Sequence, residues 1–362
     1  MNSRTRIGLA AALTLTSCVL MTSCAEPPSP ESPTPTVSSP AAQPFQGCLL
    51  SHAAAGSGSL DQLAAEGLTK TQQAKGITAN QAELNAEPDY PRQIQTMVAS
   101  GCDLVITSGE QAADAVAAAA RANPEVKFAL LDASPLNPPA NLKAVMFNVH
   151  EAAFQAGYLA AGSTKSGKVG VFAGMFVPAT TGYLDGFAQG VDYFNQKHSA
   201  AVELVGWDRN AKNGQVIRAA QPFDDPAAGQ QIAEQLIGQG VDVIMPVAGN
   251  SGRGALQAAQ AHPNVKIIWT ETDGCLSQAD GCSAMLGSVV KAADRAVENV
   301  IEQAGGDKWS AGIFNANLRN DGVALKTAAQ AQIEPAMTAA LDEIKRGIIN
   351  GTIQVRSDSA IG

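Results

Sequence analysis

Acids and glycines at the ends of short apolar runs are the residues of this chain whose types and spacing could do chemistry. The clearest set lies in residues 240–273, GVDVIMPVAGNSGRGALQAAQAHPNVKIIWTETD. Residues 241–247 are mostly apolar and rich in β-branched types, too short for a helix, and predict a buried strand. The turn Gly249-Asn-Ser-Gly252-Arg-Gly254 follows, then an alanine-rich helix that Pro263 ends. Residues 265–269 predict a second strand, which runs into Thr270, Glu271 and Asp273. Parallel strands of such a βαβ unit place their carboxyl ends on one sheet edge, so Gly249 and Asp273 are expected to share one crevice. The chemistry on offer there is binding. Glycine lets backbone N–H groups come close to a polar ligand, and a carboxylate accepts its hydroxyls or amines.

Catalytic signatures do not accompany this set. The glycines run GxxGxG rather than the GxGxxG of a dinucleotide fingerprint, and no GxSxG elbow, HExxH or P-loop is present. The chain therefore predicts no enzyme and no cofactor.

The elements that must position these residues repeat as strand, helix, strand. In the first half, CLLS from Cys48, CDLVIT from Cys102 and FALL from Phe128 predict buried strands, with Asp132 at the end of the last. Helices punctuated by Gly101 and Pro124 lie between them. The pattern restarts with the strand 168–172 and the helix 180–196, and continues through 202–205, the helix 228–238 and the βαβ unit above. Two doubly wound α/β lobes with a hinged cleft between them follow from this repetition. Lobe 1 is expected to comprise residues 46–148 plus about 276–306, and lobe 2 residues 149–275 plus about 307–362.

Composition sets the surroundings. With 24 basic and 33 acidic residues the net charge is -9, and no basic run could track phosphates, which excludes a nucleic-acid polymer as partner. Residues 1–23 carry Arg4 and Arg6 before an apolar stretch too short for a membrane span, an export signal. The signal ends at Leu20-Met-Thr-Ser-Cys24, which resembles a lipobox; Cys18 is a second near-match, but a polar tether starts only after Cys24. Residues 24–45 are rich in Pro, Ser and Thr and predict an extended tether. The expected location is the extracellular face of the cell membrane, held by a lipid. Cys48, Cys102, Cys275 and Cys282 form an even set in an exported chain, permitting three disulfide connectivities. Cys275 and Cys282 bracket a short loop as a close pair, and neighbouring strands could bridge Cys48 and Cys102. Neither pair has CxxC spacing, which disfavours a metal site.

Residues 170–195, the Met245-Pro-Val-Ala-Gly249 turn, residues 269–275 and Ser288-Val-Val-Lys291 together resemble the basic membrane protein family, nucleoside-binding lipoproteins of ABC importers. The cysteine pairs are similar to those of its actinobacterial branch. The resemblance spans about residues 47–355 and implies a type I periplasmic-binding-protein fold with a purine nucleoside clamped between lobes. It implies ligand roles for Asp132, Asp273 and Lys291, a stacking role for Phe223, a backbone contact at Gly249, and an ABC permease as partner. The first loop departs from the family pattern. Ser51 stands for its acid, Leu60 for its stacking Phe and Asp61 for its Asn, while Glu110 stands for a Phe in the next turn. These substitutions are expected to alter the polar edge presented to the ligand, so a non-nucleoside ligand stays open, as does a surface sensor or adhesion role on the same scaffold.

Overall fold

The computed structural model describes residues 44–52, 59–84 and 89–359. The signal, Cys24 and the tether up to residue 43 lie outside these residues, as does 53–58 of the first loop. In chain order the first part contains β1 (Gln46–His52), α1 (Leu60–Lys75), β2 (Thr78–Leu84) and α2 (Tyr90–Ala99). β3 (Leu104–Ser108), α3 (Ala113–Ala122), β4 (Lys127–Leu131) and β5 (Leu142–Phe147) complete it. The second part contains α4 (Val149–Ser163), β6 (Lys168–Ala173), α5 (Pro178–His198), β7 (Glu203–Val205) and a small antiparallel pair, β8 (Trp207–Asp208) and β9 (Asn213–Gly214). It continues with α6 (Pro226–Gly238), β10 (Val243–Val247), α7 (Gly252–Ala261), β11 (Lys266–Glu271), α8 (Gly274–Ser277) and β12 (Met285–Lys291). Last come α9 (Ala293–Ala304), β13 (Gly312–Ala316), β14 (Val323–Thr327) and α10 (Pro335–Asn350).

The strands form two large sheets, ordered β13-β5-β4-β3-β1-β2 and β14-β12-β11-β10-β6-β7. Pairing is parallel throughout except for β14, which runs antiparallel to β12. Parallel strands are covered on both faces, which is why their sequences are continuous apolar runs instead of alternating ones. Two segments depart from the expected lobe division. β12 belongs to the second sheet, beside β11, not to the first lobe. Every residue of it is buried, as a central strand requires. β13 pairs with β5 at the edge of the first sheet, not in the second lobe. α9 does pack in the first lobe, against α1.

The chain therefore crosses between lobes after β5, after β12 and after β13. The crossings are tied together, since Asn148 donates its N–H to Ala316 O at 2.8 Å and Ala292 to Gly322 O at 2.9 Å. One hydrophobic core runs through the crossing region, from Leu49, Ile106 and Val145 to Phe154, Leu184 and Met245. Separate clusters fill the outer faces, under α2 and α3 in one lobe and under α6 and α7 in the other. Within the shared core, α4 and α5 are in backbone contact. A Cβ on Gly157 would lie 2.0 Å from Phe187 O, and one on Gly190 2.0 Å from Phe154 O.

Both cysteine pairs are disulfides, Cys48–Cys102 and Cys275–Cys282. The first closes a separation of 54 residues, for which chain entropy gives a contribution of about 4 kcal/mol. Among the described residues no helix is long and apolar enough to cross a membrane.

Candidate functional site

A cavity of about 380 Å³ lies between the lobes at the carboxyl ends of the strands. The first lobe contributes Glu110, Asp132, Ser134 and Met146, from the segments after β3 and β4 and from β5. The second contributes an apolar wall including Met175, Val177 and Phe223, with Gly249, Thr270 and Glu271 beside it. Volume and lining suit a small molecule with one flat apolar part and one polar part. Phe223 lies over Gly174, where a Cβ would come within 2.5 Å of the ring. Gly249 has φ 53 and approaches the Phe223 carbonyl, so a side chain there would be strained and would project against the ring's own segment.

At the polar end both lobes meet on one ammonium. Lys291 Nζ lies 2.7 Å from Asp132 Oδ2 and 3.1 Å from Glu271 Oε1. Its side chain is 1% exposed. Two rings flank the same charge, Phe147 of the first lobe at 5.8 Å and Tyr183 of the second at 5.5 Å. Burial opposes the lysine's charge, but Asp132, Tyr183 and Glu271 outweigh it and hold the ammonium well above the ordinary lysine pKa. Burial pushes the Asp132 carboxyl up, and the lysine offsets only part of that shift. Asp132 and Glu271 also share an uncommon backbone, with φ 61 and φ 70. A non-glycine residue held there is strained by about 1–3 kcal/mol, a cost met where surrounding structure fixes a side chain for use.

Asp132, Phe223, Gly249 and Glu110 thus line one cavity, while Lys291 does not line it but holds two of its acids, Asp132 and Glu271, and lines a second crevice of about 680 Å³. Asp273, expected in the cavity, lies instead in that second crevice. The physical reason is the left-handed backbone at Glu271, which ends β11 and turns the chain before Asp273 is reached. Asp273 instead caps α8, accepting from Cys275 N at 3.1 Å, with Lys326 Nζ 3.7 Å away. Glu271 occupies the place expected of Asp273. The signal for it was present, an acid ending an apolar strand, but two acids in a row of three residues compete and only the backbone turn decides.

The altered first loop is also corrected. Asp61 is buried with both carboxylate oxygens engaged, one by Ser108 Oγ and the other by His52, through its N–H at 2.9 Å and Nδ1 at 2.8 Å. Among the described residues it does not line the cavity. Leu60 packs against the shared core, and Ser51 pairs with Glu83 in the sheet; neither lines the cavity among its described residues. His52 is the anchor here, since its Nε2 lies 2.7 Å from Tyr90 OH.

This pair sets a pH dependence. The hydrogen bond that His52 donates to Asp61 raises the His52 pKa above 6.5, despite burial. Burial would raise Asp61, but its donors His52 and Ser108 bring it below 3.8. The histidine's contribution is complete below 6.5 and lost as pH rises through its folded value; the acid's is complete above 3.8 and lost as pH falls through its own. The stability difference between the wild type and His52→Gln is therefore expected to be largest between 3.8 and 6.5 and to shrink in alkali, as read from urea midpoints. A difference independent of pH would contradict this pairing.

Comparison with known proteins agrees with the geometry. Residues 48–359 match the family model described as ABC transporter substrate-binding protein PnrA-like. The chain is 28% identical over 298 residues to the ABC transporter nucleoside-binding protein BmpA of Lactococcus lactis subsp. cremoris, covering 78% of this chain and 79% of that one. Among solved structures, an ABC transporter solute-binding protein from Aeropyrum pernix aligns with TM-score 0.74 at 23% identity, covering 87% of this chain and 94% of that chain. The glucose-galactose binding protein GanP of Geobacillus stearothermophilus aligns with TM-score 0.58 at 12% identity, covering 80% of this chain and 100% of that chain. These structural likenesses place the fold among type I periplasmic binding proteins.

Proposed function

Because the chain belongs to the PnrA-like family of ABC transporter substrate-binding proteins, we propose that it captures a purine nucleoside between its lobes and delivers it to an ABC permease. It is a binding protein and not an enzyme. The observation that carries the nucleoside reading is the division of one cavity into an apolar wall with Phe223 and a polar end where Asp132 and Glu271 meet on Lys291. A purine ring stacks on the first, and ribose hydroxyls donate to the second. The nucleoside-binding relative named above supports the same ligand class. Because the carboxylates come from different lobes, a ligand touching both biases the hinge toward closure. A lipid on Cys24 holds the protein at the outer face of the membrane, near the permease. A thermal-shift panel of nucleosides, free bases, sugars and amino acids tests this reading. Ligand bound only by the folded chain adds RT ln(1 + [L]/Kd), about 2.7 kcal/mol at a hundredfold excess over Kd. A rise with purine nucleosides is expected; a rise with another class alone, or none, would contradict it.

A further inference from the structure

Within the cavity the charged groups are not equivalent. Asp132 and Glu271 each pair with Lys291, whereas the Glu110 side chain is exposed and its carboxylate has no hydrogen-bond or ion-pair partner among the described residues. It is nevertheless well placed. Gly109, with φ 85, donates its N–H to Leu131 O at 2.9 Å, fixing the start of the turn Glu110–Ala112 one strand away from Asp132. Helix capping does not account for the residue, since neither that turn nor α3 has a side-chain cap.

Resting on the nucleoside reading above, we propose that Glu110 is a specificity-determining residue that selects a base presenting paired N–H donors, a guanine-type edge. A carboxylate only accepts. The guanine edge offers N1–H and the 2-amino group side by side, which one carboxylate takes as a bidentate, charge-assisted pair. The adenine edge offers one amino donor beside the N1 lone pair, which meets the second carboxylate oxygen unfavourably. Hypoxanthine keeps N1–H but lacks the amino group and is intermediate. Discrimination by such groups is large because the wrong partner leaves a polar atom unpaired.

Calorimetric titration of the wild type and of Glu110→Gln with guanosine, inosine and adenosine tests the assignment. The wild type is expected to bind guanosine at least about tenfold more tightly than adenosine, with inosine between. Glu110→Gln is expected to lose or reverse that preference, through guanosine weakening by about tenfold or more while adenosine is unchanged or strengthened, since the amide offers one acceptor and one donor to the adenine edge. Nucleoside binding without a guanosine preference, or a preference that survives in the variant, would overturn the role of Glu110 alone. Failure of every nucleoside to bind the wild type would overturn the parent reading and this one with it.

Discussion

Lys291→Met is expected to abolish ligand capture and to lower folding stability by about 3–5 kcal/mol. The lysine is the common partner of Asp132 and Glu271, and its side chain is 1% exposed. Methionine keeps an unbranched stem only one heavy atom shorter and still packs between Phe147 and Tyr183, so lost volume contributes little. What remains is a pair of carboxylates facing each other in a site without a cation, one of them buried enough that its pKa is already raised. The first lobe holds Asp132 and the second Glu271, so their repulsion falls on the interface that a ligand has to close. Urea denaturation reads the stability, and calorimetry with a nucleoside reads the binding. Adding Asp132→Asn and Glu271→Gln to Lys291→Met removes the repulsion and is expected to recover stability but not binding. A single variant with wild-type stability and affinity would show that the ion cluster is incidental.

Gly186→Ala is expected to destabilise the fold by about 3 kcal/mol, although alanine is the better helix former. A Cβ at Gly186 would sit 2.2 Å from His150 O, a backbone atom that cannot move without separating α5 from α4. Those helices run through the core shared by both lobes, and Gly190 and Gly157 make the same close approach. Gly238, near the end of α6, supplies the control, because a Cβ there meets nothing within 4 Å. Gly238→Ala is expected to stabilise by about 0.5–1 kcal/mol. Thermal unfolding of the two variants should shift in opposite directions; a shared direction would mean that propensity, not helix contact, governs Gly186.

Much of this architecture is legible in the chain because parallel strands advertise themselves as short β-branched runs. CLLS, FALL and the strand in residues 265–269 are recoverable that way, and Asp132 follows as the acid ending such a run. The identity of the second acid was not recoverable. Glu271 and Asp273 stand on the same side of an ideal strand, and the left-handed turn at Glu271 that separates them has no glycine to mark it. The lobe boundary failed for a related reason. β12 and β13 look alike as isolated strands, and only the pairing of the fully buried β12 between β14 and β11 assigns it to the interior of the second sheet. Asp61 shows the limit of reasoning from motif position. The loop pattern suggests a ligand contact, but Ser108 and His52, distant or unremarked in sequence, use both of its oxygens.

The proposed function places a nucleoside in the cavity between the lobes, with Asp132 at its polar end. The most direct measurement is a calorimetric titration of purine nucleosides into the wild type and into Asp132→Asn. One nucleoside bound per chain by the wild type, with affinity reduced at least about tenfold in the variant, is the predicted result; a lost charged hydrogen bond contributes about 1.5–3 kcal/mol. Equal affinity in both proteins would place the ligand elsewhere, and no binding to either would contradict the assigned ligand class.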